Sequence, residues 1–282
     1  MNSSCRGGKG THCDVGSRRS DAKGDKETVD VSDQVKAAHP PDETVSHATA
    51  HRQVEAVVSI IIPVCNELMT IERVVDRVEQ LQFAKELVIV DDGSTDGTAA
   101  RIEHLSQRPG VRAFFHPRNL GKGAAIRTGL RHVTGSVVII QDADLEYDPA
   151  EIERLVAPIL NGQADVVYGS RFAMAGESSC RPIRRLANRG LTWFSNRLTG
   201  LALSDMETCY KAMRREVTST FSIREDRFGV EPELTAKIAR GKWRIIEMPI
   251  SYRPRDYAAG KKIRFRDGLR AVWCIVRYSW RD

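Results

Sequence analysis

The stretch from Val137 to Glu146 reads VVIIQDADLE. Four β-branched residues, typical of a buried strand, run directly into Asp142 and Asp144, two carboxylates with one residue between them. Carboxylates at this spacing can converge on one hard cation such as Mg²⁺ or Mn²⁺ where a strand bends into a loop. A solvated acidic turn explains the same letters, so the pair alone does not decide between the two interpretations.

Two more apolar runs end in polar loops. Val57–Ile62 leads into Pro63–Glu67, and Leu87–Val90 leads into Asp91–Thr98. Apolar residues at helical spacing follow, and strands that alternate with helices predict an α/β fold with a mostly parallel central sheet. Ligands of such sheets gather beyond the carboxyl ends of the strands. The acidic loops are therefore expected to share one crevice, which favours the cation site over the solvated turn.

The same patterns place the remaining elements. Further strands are predicted at Val111–Phe115, Val166–Tyr168 and Ile245–Ile250. Helices are predicted from about Thr70, from near Gly123, and over Pro182–Leu203, Phe228–Ala239 and Arg266–Arg281. We expect Glu231 and Glu233 to lie on a solvated or capping face of their helix.

Composition divides the chain into three parts. Residues 1–53 contain almost no large apolar residues and are predicted to be a disordered tail, residues 54–262 a folded domain, and residues 263–282 a basic amphipathic helix. The net charge of +6 is concentrated in residues 251–282, which carry nine Lys and Arg against three Asp. A membrane face, a phosphate ligand or nucleic acid would each match that charge. Six scattered cysteines and no signal peptide predict a cytoplasmic protein with free thiols.

Several polar residues have more than one possible role. The carboxylates of Asp91–Thr98 can accept hydrogen bonds from a nucleobase or ribose, or cap the next helix. We assign Asp96 to the cap and favour Asp92 as the ligand contact. Lys122 lies in a Gly-rich turn that lacks the spacing of a phosphate-binding P-loop, so structural and ligand-contacting roles stay open. His116 has no second histidine nearby and is expected to be structural.

Seven segments of the chain share a wider pattern: VSIIIPVCNE (58–67), IVDDGSTDGT (89–98), NLGKGAA (119–125), QDADLE (141–146), GSR (169–171), YRPR (252–255) and GKKI (260–263). They resemble the family 2 glycosyltransferases, and most closely the dolichyl-phosphate mannosyltransferase, or polyprenyl-phosphate glycosyltransferase, branch. The resemblance covers residues 57–278. It implies a GT-A (Rossmann-like) fold over residues 54–262, a nucleotide-sugar donor, a divalent cation and inversion at the anomeric carbon.

The resemblance also assigns roles to individual residues. Those matching the nucleotide-binding segments are Pro63, Cys65, Glu67, Val90 and Asp92. Those matching the metal and diphosphate segment are Asp142, Ala143, Asp144 and Glu146, with Asp142, Asp144 and Glu146 as metal ligands. Arg171 matches a donor-side arginine. Arg255 and Lys261 match basic residues that face phosphate, and with Asp144 they form the implied catalytic set.

The predicted reaction is transfer of a hexose, with mannose from GDP-mannose favoured, to a polyprenyl or dolichyl phosphate. Such an acceptor is already an anion, so the reaction needs alignment and charge neutralisation rather than a base. The alternative is a UDP-sugar donor with a saccharide hydroxyl acceptor, for which Asp205 or Glu207 is the candidate base. A non-enzymatic nucleotide- or polyanion-binding protein is disfavoured by the intact Asp142/Asp144 pair. The predicted partners are the nucleotide-sugar, the lipid phosphate and the cytoplasmic membrane face, which the protein meets peripherally, and no nucleic acid.

Overall fold

A computed structural model describes residues 56–173, 182–254 and 265–280. The strands are β1 (Val58–Val64), β2 (Lys85–Asp91), β3 (Val111–Phe115), β4 (Val137–Ile140), β5 (Val166–Ser170), β6 (Lys211–Arg214) and β7 (Ile245–Pro249). The helices are α1 (Ile71–Glu79), α2 (Thr98–Leu105), α3 (Lys122–His132), α4 (Ile152–Leu160), α5 (Pro182–Thr199), α6 (Arg215–Thr218), α7 (Val230–Arg240) and α8 (Phe265–Trp280), with a 3₁₀ turn at Pro149–Glu151. The predicted tail, Arg255 and Lys261 lie outside the described residues.

The strands form one sheet in the order β3-β2-β1-β4-β6-β5-β7. Pairing is parallel from β3 to β4 and between β5 and β7, whereas β6 runs antiparallel to both of its neighbours. The predicted α/β class with a mostly parallel sheet is confirmed. Strand β6 was not predicted, because its four residues, KAMR, have neither a β-branched run nor an alternating pattern.

Both faces of the sheet are covered, which explains why β1 reads as a continuous apolar run. Alternate β1 residues such as Ile60 and Ile62 belong to the main core together with apolar residues of α1 and α4. Ile61 faces the other way and packs with Val88, Val90 and Ala125 of α3. A strand buried on both faces holds its position firmly, so the loops that leave it are well placed.

The order of the strands locates the crevice of the sheet. After β1 the chain builds β2 and β3 on one side and then crosses to β4 on the other, so the connections diverge between β1 and β4. Ligands of open α/β sheets bind at such a point, beyond the carboxyl ends of the strands. Because β6 is reversed, its beginning lies at the same edge as the ends of β4 and β5. Residues that precede β6 are therefore brought to the crevice.

The helices of the second half pack against one another. α8 lies on α7 and α5, and it buries Ala271, Cys274, Ile275 and Tyr278. The carboxylate of Glu225 accepts hydrogen bonds from Arg270 Nε and Nη2 at 2.9 and 2.8 Å, which ties α8 to the loop before α7. Within the described residues, no helix combines the length and the apolar character that crossing a bilayer requires.

Two expectations about α7 were wrong. Glu231 and Glu233 are buried rather than solvated, with 4% and 0% of their surface exposed. Every residue of the helix from Val230 to Ile238 is buried, and each carboxylate is held by a buried lysine: Glu231 by Lys211, and Glu233 by Lys237 at 2.7 Å. The cation that pairs with Glu231 lies 20 positions earlier in the chain, whereas Lys237 lies one turn after Glu233 on the same helix; neither spacing shows that the pair is buried.

Candidate active site

A cavity of about 480 Å³ opens at the carboxyl edge of the sheet, across the point where the connections diverge. Its wall contains most of the predicted site residues: Pro63, Cys65, Glu67, Asp92, Asp142, Ala143, Asp144, Glu146 and Arg171. Val90 is the exception among those described, since it is fully buried in β2 within the core cluster under α3. Loops far apart in the sequence thus meet at the carboxyl edge of the sheet, as expected for loops that follow parallel strands.

Asp92 lies in the cavity wall but is not free. Its Oδ1 accepts hydrogen bonds from the amide of Leu120 at 2.9 Å and from His116 Nδ1 at 2.8 Å, and its Oδ2 accepts one from the amide of Gly121 at 2.7 Å. These bonds hold the Gly-rich turn against the end of β2. His116 also bonds Thr128 at 2.9 Å, in keeping with its expected structural role.

The glycines of this turn permit a close approach by another loop. Gly121 has φ of 111°, and a Cβ atom at Gly123 would lie 2.0 Å from the carbonyl oxygen of Glu225. The amide of Ala124 donates to the carbonyl oxygen of Asp226 at 3.0 Å. The turn is thereby fixed between β2 and the loop before α7, which places Lys122 at the cavity.

Lys122 reaches the first aspartate of the predicted metal segment. Its Nζ lies 2.8 Å from Asp142 Oδ1 and 3.3 Å from Glu231 Oε1. Burial lowers the pKa of Lys122, but Asp142, Cys209 and Glu231 outweigh it, and the pKa is held well above its usual range. Lys122 is therefore a permanent cation of the cavity wall, a role that its sequence context left open.

The loop after β4 is held in a strained conformation. Leu145 has φ of 58°, a left-handed value that is costly for a residue with a branched side chain. On either side of it, Asp144 Oδ1 accepts from the amide of Glu146 at 3.1 Å, and Glu146 Oε2 accepts from the hydroxyl of Tyr252 at 2.6 Å. The strain is consistent with a loop whose carboxylates are positioned for function.

The predicted metal ligands do not form a ready-made cluster. Within the part of the chain that the structure describes, no group of three or more His, Cys, Asp or Glu side chains converges in a way that could hold a metal. Asp142 is paired with Lys122, and Glu146 is bonded by Tyr252. The three-carboxylate site implied by the resemblance is therefore absent from these described residues.

Arg171 and Asp205 form a buried ion pair at the far side of the cavity. Arg171 Nε and Nη2 each lie 2.7 Å from an Asp205 oxygen, and Asn188 Nδ2 donates to Oδ1 at 3.0 Å. The guanidinium carbon lies 5.3 Å from the ring centroid of Tyr252. With its oxygens bound in this way, Asp205 is poorly placed to act as a base.

Glu207, like Glu231, has a buried oxygen that accepts no hydrogen bond from the described residues, but unlike Glu231 it has no ion-pair partner among them. It lines the cavity, yet its Oε1 is buried without a hydrogen-bond partner among the described residues. Burial is the largest cause that raises its pKa, Glu231 adds to the rise, and the pKa reaches about 7. Carboxyls of this kind concentrate at functional sites.

Among the described residues, the wall of the cavity carries more acidic than basic side chains. It contains the carboxylates of Glu67, Asp92, Asp142, Asp144, Glu146, Glu207 and Glu231, against the cations Lys122, Arg171 and Arg227. A diphosphate entering this space would be repelled unless positive charge came with it. The charge balance therefore favours a ligand that combines a diphosphate with a divalent cation.

Comparison with known proteins agrees with this geometry. Residues 59–221 match the model of glycosyl transferase family 2. The chain belongs to this family. Its similar relatives include two undecaprenyl-phosphate 4-deoxy-4-formamido-L-arabinose transferases. The protein from Sodalis glossinidius (strain morsitans) is 35% identical and that from Edwardsiella ictaluri (strain 93-146) 33% identical, each over 210 residues, 72% of this chain and 62% of the relative. The predicted resemblance to the polyprenyl-phosphate branch is confirmed, and the family 2 chain spans 62% of the length of these relatives.

Solved structures confirm the GT-A fold. Glucosyl-3-phosphoglycerate synthase from Mycobacterium tuberculosis, bound to uridine diphosphate, superposes with a TM-score of 0.64 at 22% identity, covering 87% of each chain. The same enzyme with Mg²⁺ and uridine diphosphate superposes with a TM-score of 0.63 at 22% identity, over 80% of each chain. At this identity the likeness shows the fold alone.

Proposed function

We propose that this chain transfers a sugar from a nucleotide-sugar to a polyprenyl phosphate, with inversion and with a divalent cation. The observation that carries the proposal is the single cavity at the diverging strands, where the segments after β1, β4 and β5 all contribute to the wall of a family 2 chain. A UDP-sugar is the first donor to test, since structures of the same fold are known with uridine diphosphate bound. GDP-mannose, the donor favoured by the sequence resemblance, is the second donor to test.

The residues present fit a divalent cation that arrives with the donor. Mg²⁺ is commonly bound through one or two carboxylates together with substrate phosphates, rather than by a cage made only of protein. Asp144 and Asp142 would hold it, and the acidic wall would be balanced by it. Bound there, the cation would neutralise the diphosphate and stabilise the leaving nucleotide. A site completed by the diphosphate explains why the described carboxylates do not converge on their own.

The acceptor phosphate is expected to meet the basic end of the chain. Arg255 and Lys261, which lie outside the described residues, belong to the segment rich in Lys and Arg. Arginine suits bidentate contact with phosphate, and lysine suits contact as a point charge. Because a lipid phosphate is already a nucleophile, the protein has to align it and neutralise its charge.

The surfaces of α5 and α8 support peripheral contact with a membrane. Large apolar side chains are exposed on both helices: Ile183, Leu186 and Trp193 on α5, and Leu269, Val272, Trp273, Val276 and Trp280 on α8. α5 and α8 also supply Leu191, Gly268 and Ala271 to the cavity wall. A bilayer that covered this apolar surface would bring a lipid-linked phosphate next to the donor.

Purified protein with Mn²⁺ or Mg²⁺, assayed with UDP-glucose, UDP-4-deoxy-4-formamido-L-arabinose and GDP-mannose, tests the proposal. We expect one radiolabelled donor to be transferred to undecaprenyl phosphate in detergent. Asp144→Ala is expected to lower turnover about 100-fold or more, the usual cost of removing one group that stabilises developing charge. Asp76→Ala, whose side chain is 47% exposed on α1, is the matched control and is expected to keep full turnover. Wild-type turnover in an Asp144→Ala variant that is folded would refute the metal role.

A second candidate reaction uses a hydroxyl acceptor. Glu207, rather than the ion-paired Asp205, is the base that this reaction would use, because one of its oxygens is unbonded and its pKa is about 7. Soluble saccharides offered in place of undecaprenyl phosphate distinguish the two reactions. Transfer to saccharides alone would favour this candidate.

A further inference from the structure

Glu207 lines the cavity, and its Oε1 accepts no hydrogen bond from the described residues. The pairing of the neighbouring cations explains why. Arg171 and Lys122 line the same cavity, and Lys211 follows Glu207 four residues later in the chain. Each is paired with another carboxylate: Arg171 with Asp205, Lys211 with Glu231, and Lys122 with Asp142 and Glu231. Oε1 of Glu207 is left without a partner among the described residues. A buried polar group in this state destabilises the free protein, and natural structures retain such groups where function uses them.

The backbone that carries Glu207 is firmly held. The amide of Ser204 donates to Glu247 at 2.9 Å, and the amide of Met206 donates to Thr192 Oγ1 at 3.1 Å. On the far side of Glu207, the carbonyl oxygen of Thr208 accepts from the buried Nζ of Lys211. The carboxyl is therefore presented from a rigid segment, as a residue that selects a ligand requires.

The order of the strands indicates what faces this carboxyl. Along the sheet edge β2 and β1 come first, then β4, β6 and β5. If the nucleoside lies over β1 and β2 and the diphosphate over β4, as the proposed function requires, the sugar continues toward β6. Neighbouring strands are about 4.8 Å apart, so the group attached to the diphosphate reaches the segment that enters β6. Glu207 belongs to that segment.

We propose that Glu207 binds the sugar of the donor by accepting a hydrogen bond from one of its hydroxyl groups, and that it selects donors bearing a hydroxyl at that position. This inference rests on the proposed function, because it takes the donor to be a nucleotide-sugar. A hydroxyl is the donor group that a sugar offers in quantity, and its O–H would satisfy the acceptor that the protein leaves unused. A site built to bond a hydroxyl rejects an analogue that lacks it far more strongly than an apolar pocket rejects an added group.

The test compares the whole donor with its nucleotide half. Calorimetry at pH 8 with Mn²⁺ measures dissociation constants for UDP-glucose and UDP, and for GDP-mannose and GDP. Glu207→Gln is expected to weaken the nucleotide-sugar about 10- to 100-fold, the range for a hydrogen bond to a charged group, while the nucleoside diphosphate keeps its affinity within twofold. Glu216→Gln, whose side chain is 66% exposed, is the control and is expected to change neither affinity.

Deoxy donors then identify the hydroxyl. One deoxy analogue is expected to bind the wild type more weakly than the parent nucleotide-sugar does, by the same factor that Glu207→Gln causes. The same analogue and the parent nucleotide-sugar are expected to bind Glu207→Gln with equal affinity. The proposal is overturned if the variant binds the nucleotide-sugar as tightly as the wild type, or if it loses UDP and UDP-glucose equally. It is also overturned if turnover disappears with donor affinity unchanged, since Glu207 would then act as a base. If the wild type binds none of the four compounds, the proposed function itself fails, which is a different result.

Discussion

Glu207→Gln is expected to make the free protein more stable above pH 7. In the folded chain the pKa of this carboxyl is raised from its ordinary value of 4.5 to about 7, first by burial and then by Glu231. Between these two pH values the folded protein keeps a proton that the unfolded chain has released. The free energy of unfolding therefore falls as the pH rises from 4.5 to 7, and it changes no further through this group at higher pH.

The size of the effect follows from the two pKa values. One unit of difference corresponds to about 1.4 kcal/mol, so the interval from 4.5 to about 7 corresponds to about 3 kcal/mol at pH 8. Glutamine has nearly the same shape and cannot ionise, so the variant avoids this loss. For a domain of this size the gain is a rise of about 6–12 °C in Tm. At pH 4.5 the two proteins are expected to differ by less than about 1 kcal/mol.

Thermal and urea unfolding of both proteins between pH 4.5 and 8.5 measure this difference. The informative quantity is how the difference in free energy of unfolding between the two proteins changes with pH. Every other group titrates in both proteins, so its contribution cancels in this difference. Glu216→Gln, on an exposed side chain, is expected to give a difference that stays flat. Equal stability of Glu207→Gln and the wild type at pH 8 would show that the carboxyl already has a partner in the free protein. Oε1 of Glu207 would then not be available to a ligand in the way we infer.

Three other predictions concern the packing around the cavity. Gly123→Ala is expected to lower the free energy of unfolding by about 1–3 kcal/mol, because the new Cβ would lie 2.0 Å from a backbone oxygen. Gly190→Ala, where a new Cβ would meet nothing within 4 Å, is expected to be neutral or slightly stabilising. Urea titrations compare the two variants, and an equal loss of stability would contradict the close approach at Gly123. Lys122→Met is expected to cost about 3–5 kcal/mol in the same measurement, because it leaves Asp142 without its cation and removes one of the two cations that pair with Glu231. A loss below about 1 kcal/mol would show that Asp142 is hydrated. Glu225→Gln is expected to speed amide hydrogen exchange in α8, where it removes the partner of Arg270, while exchange in β1 stays the same; unchanged protection of α8 would mean that its apolar contacts suffice.

The first half of the fold was predictable because its strands are buried on both faces. Apolar runs such as Val58–Val64 and Val137–Ile140 stand out in the sequence, and each ends where a polar loop begins. Their parallel arrangement brings those loops to one edge, so the shared cavity follows from the pattern. The short strand Lys211–Arg214 was missed, because its place in the sheet is set by long-range pairing rather than by its own residues.

The charge network of the site was harder to predict for a similar reason. Lys122 and Asp142 are 20 positions apart, and no local spacing predicts that they pair. Asp92 carries the expected residue type at the expected place, yet its oxygens are used to brace a turn. Which carboxylate is left without a partner depends on how every neighbouring cation is distributed. Only the assembled structure shows that Glu207 has neither a hydrogen-bond donor at Oε1 nor an ion-pair partner among the described residues.

Because β6 is reversed, a segment from the second half of the chain reaches the cavity and can change separately from the first half. Under the proposed function, residues before 147 recognise the nucleotide, and the segment that enters β6 after residue 200 recognises the sugar. Changes in the later stretch can therefore exchange one sugar preference for another without disturbing the nucleotide half. A chimera that joins the first half of this chain to the corresponding second half of a relative should inherit its nucleotide from one parent and its sugar from the other.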